Sequence, residues 1–244
     1  MSPRVTLATA VRVARQLRRD HRTLALILVV PPALLTLFKY VFENQPETFA
    51  RIGAPLVGLF PLVMMFLITS IAMLRERTTG TLERLMSMPL AKPDLLFGYG
   101  VAFAFVAAVQ ASVTGAVAFG LLDVPTAGPV WGVVALAIAN AVLGMALGLF
   151  LSAFSTSEFQ AVQFMPAFIF PQLLLSGLFI PRDQMPEVLE RISDFLPFTY
   201  AYEALAKVAA DDIDARFWFD VAVVIGCIVL ALVLGALTLR RRTP

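Results

Sequence analysis

Ionisable side chains are scarce in this sequence, and the residue types on which most enzymatic sites depend are nearly missing. There is one histidine, His21, and one cysteine, Cys227, in 244 residues. A lone cysteine excludes an intrachain disulfide and a thiolate metal cluster, and a lone histidine argues against a histidine-ligated metal site of the usual kind. The usual His- or Cys-based triads lack their parts. Lysine occurs only as Lys39, Lys92 and Lys207, and none follows a glycine, so the Gly-Lys-Ser/Thr of a nucleotide-binding loop is absent from the sequence. Charged residues make up 15% of the chain, against about 25% in soluble domains.

Hydrophobic residues fill the gap, at 59% of the chain with a mean hydropathy of +0.83. That excess is too large for a soluble core and has to face lipid. Six apolar runs reach the roughly 20 residues needed to cross a bilayer, at about 24–42, 53–74, 96–121, 130–151, 161–180 and 217–239. They are continuous rather than alternating, so they predict helices, and unpaired backbone groups are not tolerated in lipid. The fold class is therefore all-α, a polytopic membrane protein with six transmembrane helices. The first run is too long for a signal-peptide core and reads as a retained signal anchor.

Charge sets the orientation. Arg4, Arg12, Arg15, Arg18, Arg19 and Arg22 precede the first span; Arg75, Arg77, Arg84 and Lys92 lie between spans 2 and 3; Arg240, Arg241 and Arg242 end the chain. These segments alternate with the spans and place both termini in the cytoplasm. The other side is mainly acidic, with Glu43, Glu47, Asp123, Asp183, Glu187, Glu190, Asp194, Asp211, Asp212 and Asp214. The arginine bias suits a high-GC bacterial genome and hence a bacterial inner membrane. Within the spans only Lys39 and Asp220 are ionisable, both near span ends, which argues against ion-coupled transport. Ser70, Ser112 and Ser176 read as packing positions.

Residues 1–23 carry arginines at helical spacing opposite Leu7, Ala10, Ala14 and Leu17, the pattern of a helix lying in the membrane interface. A six-helix domain over 24–239 follows, then a basic tail over 240–244. Short helices are expected in the long outer loop, 181–216, where the spacing of Val188, Leu189, Ile192, Phe195 and Leu196 predicts an amphipathic one. Its expected position is against the outer span ends or at the bilayer edge, with Pro186 in its first turn and Pro197 as its stop. In span 4, Asn140, Gly144, Gly148 and Ser152 recur every fourth residue, predicting close packing within the subunit.

The loop 75–92 is the most informative stretch. Gly80 is positioned to start, and Pro89 to end, a two-turn helix with Leu82, Leu85 and Met86 on one face and Glu83 and Arg84 on another. Such a knob suits a groove on a partner protein. Arg75-Glu76-Arg77, Gly80-Thr81-Leu82-Glu83 and the following proline resemble the signature of ABC transporter type-2 permeases. Ser176-Gly177-Leu178-Phe179-Ile180-Pro181, Met185-Pro186, Leu196-Pro197-Phe198-Thr199-Tyr200 and Glu203-Ala204-Leu205 are similar to later parts of that pattern. The likeness is to the drug-exporter branch, of the daunorubicin-resistance kind.

The resemblance implies a half-transporter that pairs with a second permease copy or a related permease and recruits a separate ABC ATP-binding subunit. ATP and Mg are then used by that partner, this chain binds no cofactor and is no enzyme, and no nucleic-acid partner is expected. It also implies that Arg75, Glu76, Arg77, Gly80, Thr81, Leu82, Glu83, Leu85 and Met86 couple to the ATPase. Spans 2 and 5 line the path in this family, which here means Met64, Met65, Phe66, Phe164, Phe168 and Gln172. Methionine and phenylalanine make adaptable apolar surfaces. The expected function is export of hydrophobic or amphiphilic compounds such as drugs. Export of lipid-linked or polysaccharide precursors, and a non-transporting scaffold or sensor, are the alternatives.

Overall fold

Proline and polar punctuation divide the chain into helices at the expected places. The computed structural model describes residues 3–80 and 92–238, and among these every regular element is helical. Helix α1 (Pro3–Arg19) is separated from α2 (His21–Val41) by Asp20 alone, whose carboxylate accepts the Thr23 N–H and caps α2. Helix α3 (Pro46–Thr78) opens on proline, where a missing N–H costs nothing. Then come α4 (Lys92–Gly120), α5 (Val130–Leu151), α6 (Glu158–Leu175), α7 (Glu187–Ser193), α8 (Pro197–Ala209) and α9 (Ala215–Thr238).

Helices α2, α3, α4, α5 and α9 are long and apolar enough to cross a membrane. At 33 residues, α3 is about 50 Å long at 1.5 Å per residue. It therefore overruns a 30 Å hydrocarbon layer and projects charged residues at both ends. Helix α6, the counterpart of the span placed at 161–180, has 18 residues and stops at Leu175. Gln160, Gln163 and Gln172 lower its hydropathy, and Pro166 and Pro171 lie inside it. The chain then turns at Gly177, whose φ of +96° is open to glycine at little cost.

The two most buried spans, α3 and α5, form the centre. A Cβ on Gly144 would lie 2.0 Å from the Leu62 carbonyl oxygen, and one on Gly148 would lie 2.4 Å from that of Phe66. The small-residue stripe therefore serves packing within this chain, as its spacing predicts. Thr69 Oγ1, on α3, lies 3.2 Å from the Met145 carbonyl oxygen and adds a polar tie between the same helices. Gly98 of α4 lets α1 cross closely, since a Cβ there would sit 2.5 Å from Thr9 Cβ. Gln110 Nε2 of α4 donates to the Ile27 carbonyl of α2 at 3.0 Å, fully buried.

The outer loop departs from its expected form in two ways. Helix α7 is only seven residues long, with Pro186 as its N-cap rather than in its first turn. Its apolar side chains Val188, Ile192 and the following Phe195 are exposed, so among the described residues they are not packed against the span ends, which leaves the bilayer edge of the two expected positions. Pro197 ends that run but also begins α8, which the sequence reading did not single out. Phe198, Ala201, Ala204, Leu205 and Val208 of α8 are buried. Asn140 Nδ2 donates to the Ala201 carbonyl at 3.2 Å, and the N–H groups of Ala127 and Gly128 donate to Ala209 O at 2.8 and 3.1 Å. Helix α8 is thus wedged against α3, α5 and α9, with its C-terminal Ala209 carbonyl satisfied by the α4–α5 loop.

Candidate functional site

Consecutive residues on a helix diverge by about 100°, one turn per 3.6 residues, and the run Arg75-Glu76-Arg77 is split accordingly. Arg75 reaches across to the first residue of α6: its Nε donates to Glu158 Oε1 at 2.7 Å and its Nη2 to Glu158 Oε2 at 3.2 Å. Both side chains are about half exposed. Solvent screening holds such a pair to about 1 kcal/mol or less, but the two-pronged geometry fixes the end of α3 to the start of α6.

Glu76 turns inward and is nearly buried, with Arg12 Nη1 of α1 at 3.8 Å. The same guanidinium donates to the Tyr99 hydroxyl of α4 and lies over that ring at 5.6 Å. One acidic residue at the end of α3 therefore gathers α1 and α4. Sequence reading placed Arg12 on a charged interfacial face and missed Tyr99; an aromatic hydroxyl in an otherwise apolar segment was the available signal.

Gly80 closes α3. The Thr79 N–H and hydroxyl both donate to the Arg75 carbonyl, at 2.9 and 2.7 Å, and Gly80 follows with φ of +71°, the left-handed geometry that terminates helices. Thr81, Leu82, Glu83, Leu85 and Met86, with the two-turn helix expected there, lie outside the described residues.

The six path residues do not converge on one space. Phe66 and Phe168 stack across α3 and α6, ring centroids 6.1 Å apart and planes at 14°. Gln172, one turn on, is buried and donates from Nε2 to the Phe168 carbonyl at 3.0 Å, while its Oε1 has no partner among the described residues. Met65 is fully buried beside Tyr99, Phe103 and Met145. Phe164 is partly exposed on α6. Met64 faces elsewhere, into a cavity of about 290 Å³ among α1, α2, α3 and α4.

At the opposite end, polar contacts knit 181–220 together. The mostly buried Arg182 donates to Ser193 Oγ at 2.9 Å and pairs with Asp194 and Glu203. Burial works against its charge, but the two carboxylates outweigh it and raise its pKa. Glu203 also meets Arg216 at 3.3 Å, and Arg216 Nε lies 3.1 Å from Asp220 on α9. Asp220, expected near the start of a span, is fully buried there.

Comparison with known proteins gives a consistent picture. The family model for the ABC-2 type transporter membrane domain matches residues 4–209. ABC transporter G family member 20 of Dictyostelium discoideum is 26% identical over 206 residues, covering 83% of this chain and 28% of that protein. The probable multidrug ABC transporter permease YbhR of Escherichia coli K12 is 26% identical over 160 residues, 64% of this chain and 43% of its own length. The related permease YbhS is 24% identical over 143 residues, 58% and 38% of the two lengths. The chain thus spans less than half the length of each of these relatives.

Proposed function

Because the chain belongs to the ABC-2 type transporter family, we propose that it is the permease subunit of an exporter driven by a separate ATP-binding subunit. The family match, in a sequence without a Gly-Lys-Ser/Thr loop, carries this reading. ATP and Mg are assigned to the partner. Hydrophobic or amphiphilic compounds, drugs among them, are the proposed cargo. The names of YbhR and YbhS support multidrug transport, and the aromatic contact between α3 and α6 suits apolar rather than sugar-rich solutes. The proposed setting is a bacterial inner membrane with both termini cytoplasmic, following the arginines. Two permease copies, or this chain and a related one, complete the pathway.

Coupling is assigned to the segment beginning at Gly80. A push on it reaches α3 directly and α6 through Arg75–Glu158. ATP can shift the two ends of the cycle only by its differential binding to them. The test is co-expression with the candidate ATP-binding subunit, followed by purification of the complex and transport into inverted vesicles. Gly80→Pro forbids the observed positive φ, and Glu83→Ala removes a charge from the segment. Both are expected to insert and assemble yet lose most ATP-driven transport. Wild-type export by both variants overturns the coupling assignment. Failure to recover any ATPase partner favours a scaffold or sensor.

A further inference from the structure

The cavity that receives Met64 is amphipathic along its length. Met64, Ile68, Ile71, Ala72 and Arg75 follow one another on a single face of α3, and all line it. From Met64 to Arg75 is about 16 Å at 1.5 Å per residue. Leu26 of α2 and Phe103 of α4 add apolar wall, whereas Asp20, Glu76 and Tyr99 stand towards its other end. Its volume is near the lower limit for small-molecule sites.

Among the residues that line the cavity, the carboxylates of Asp20 and Glu76 outnumber the single guanidinium of Arg75. Arg75 is taken up by Glu158, and Arg12 is shared between Glu76 and Tyr99. Asp20 is committed to the Thr23 N–H and hydroxyl. Glu76 is not fully used among the described residues: its side chain is 7% exposed and its Oε2 has no hydrogen-bond partner among them. Rotation about the last bond of a glutamate is soft, so that oxygen can turn to a ligand in the cavity. An ammonium brings three donors and one positive charge.

We propose that this cavity binds a cationic amphiphile, its ammonium held by Glu76 and its apolar body lying along Ile68 and Met64. The ligand is either a phospholipid with a primary ammonium headgroup or a free alkylamine. The site is separate from the Phe66–Phe168 contact, and its occupancy does not depend on the exporter reading.

The full chain is reconstituted in phosphatidylcholine nanodiscs without any ATPase and labelled with a diazirine-bearing dodecylamine. Cross-links are mapped by mass spectrometry. Expected are cross-links in 64–76 and 13–26, competed by dodecylamine but not by dodecanol or dodecyl sulfate. Glu76→Gln is expected to weaken competition about tenfold, the change that one lost charge-assisted contact gives. Ile68→Trp is expected to abolish labelling by filling the cavity, and it decides the matter if Glu76→Gln does not insert. Nanodiscs containing phosphatidylethanolamine identify the source: competition by that lipid assigns the site to a headgroup, and its failure to compete assigns it to a free amine. Equal competition by dodecanol, or labelling unchanged by Ile68→Trp, overturns the proposal.

Discussion

Two single residues show how little space or charge this fold has to spare. Gly144 meets the backbone of Leu62 at a distance no Cβ can occupy, so Gly144→Val must push α5 off α3. Overpacking of this kind costs about 1–3 kcal/mol or more, and a lower melting temperature in detergent is the expected result. Asp20 acts by hydrogen bonding instead. The Thr23 hydroxyl and N–H hold its pKa below the usual carboxylate value. Its contribution is therefore complete above the unfolded value of about 3.9 and fades as pH falls through the lower folded value. Asp20→Ala is expected to cost about 1 kcal/mol at pH 7, with the melting temperatures of variant and wild type converging as pH falls through the lowered folded value.

Among the elements, α8 is the one whose role depends most on its surroundings. It is short, yet it lies against the two most enclosed spans, with Leu205 at Gly58 and Ala201 at Asn140. Arg182 helps hold it by joining Glu203 of α8 to Asp194 and Ser193 at the end of α7. Arg182→Met leaves Glu203 with Arg216 alone. The loss is expected to be about 1–3 kcal/mol, between the values for exposed and buried pairs. Limited proteolysis reads it directly, as faster cleavage within 176–215 while the spans stay intact.

For the molecule as a whole, the uneven burial of the spans matters most. Helices α3 and α5 are enclosed, whereas α2 and α9 leave most of their apolar surface uncovered by this chain. Exposed Phe159, Phe170 and Leu174 on α6 add to that surface, which suits lipid or a second permease copy. The clamp between Arg75 and Glu158 joins the enclosed and peripheral parts at the end where coupling is proposed. Transport is therefore expected to fall in Arg75→Glu and in Glu158→Arg, and to recover in the double exchange. The stability of the fold should change by less than about 1 kcal/mol in each. Transport and thermal melts on the same three proteins separate the mechanical role from a structural one.

Runs of apolar residues, the alternation of basic and acidic loops and the spacing of Gly144 and Gly148 determined that this chain is a helical membrane protein with a tightly packed fourth span. Those features are local or periodic, so they survive in one dimension. The backbone adds that Gly80, expected to start a helix, closes α3 with a positive φ. The tertiary structure alone decided that Glu76 belongs with Arg12 and Tyr99, that Arg75 belongs with Glu158, and that Met64 and Phe66 look into different spaces. Residues two apart on a helix point about 200° apart, and which direction meets a partner is settled by helix packing. Helix α8 was hidden for a related reason: its small apolar face, centred on Ala201, Ala204 and Leu205, gains its meaning only when pressed against α3 and α5.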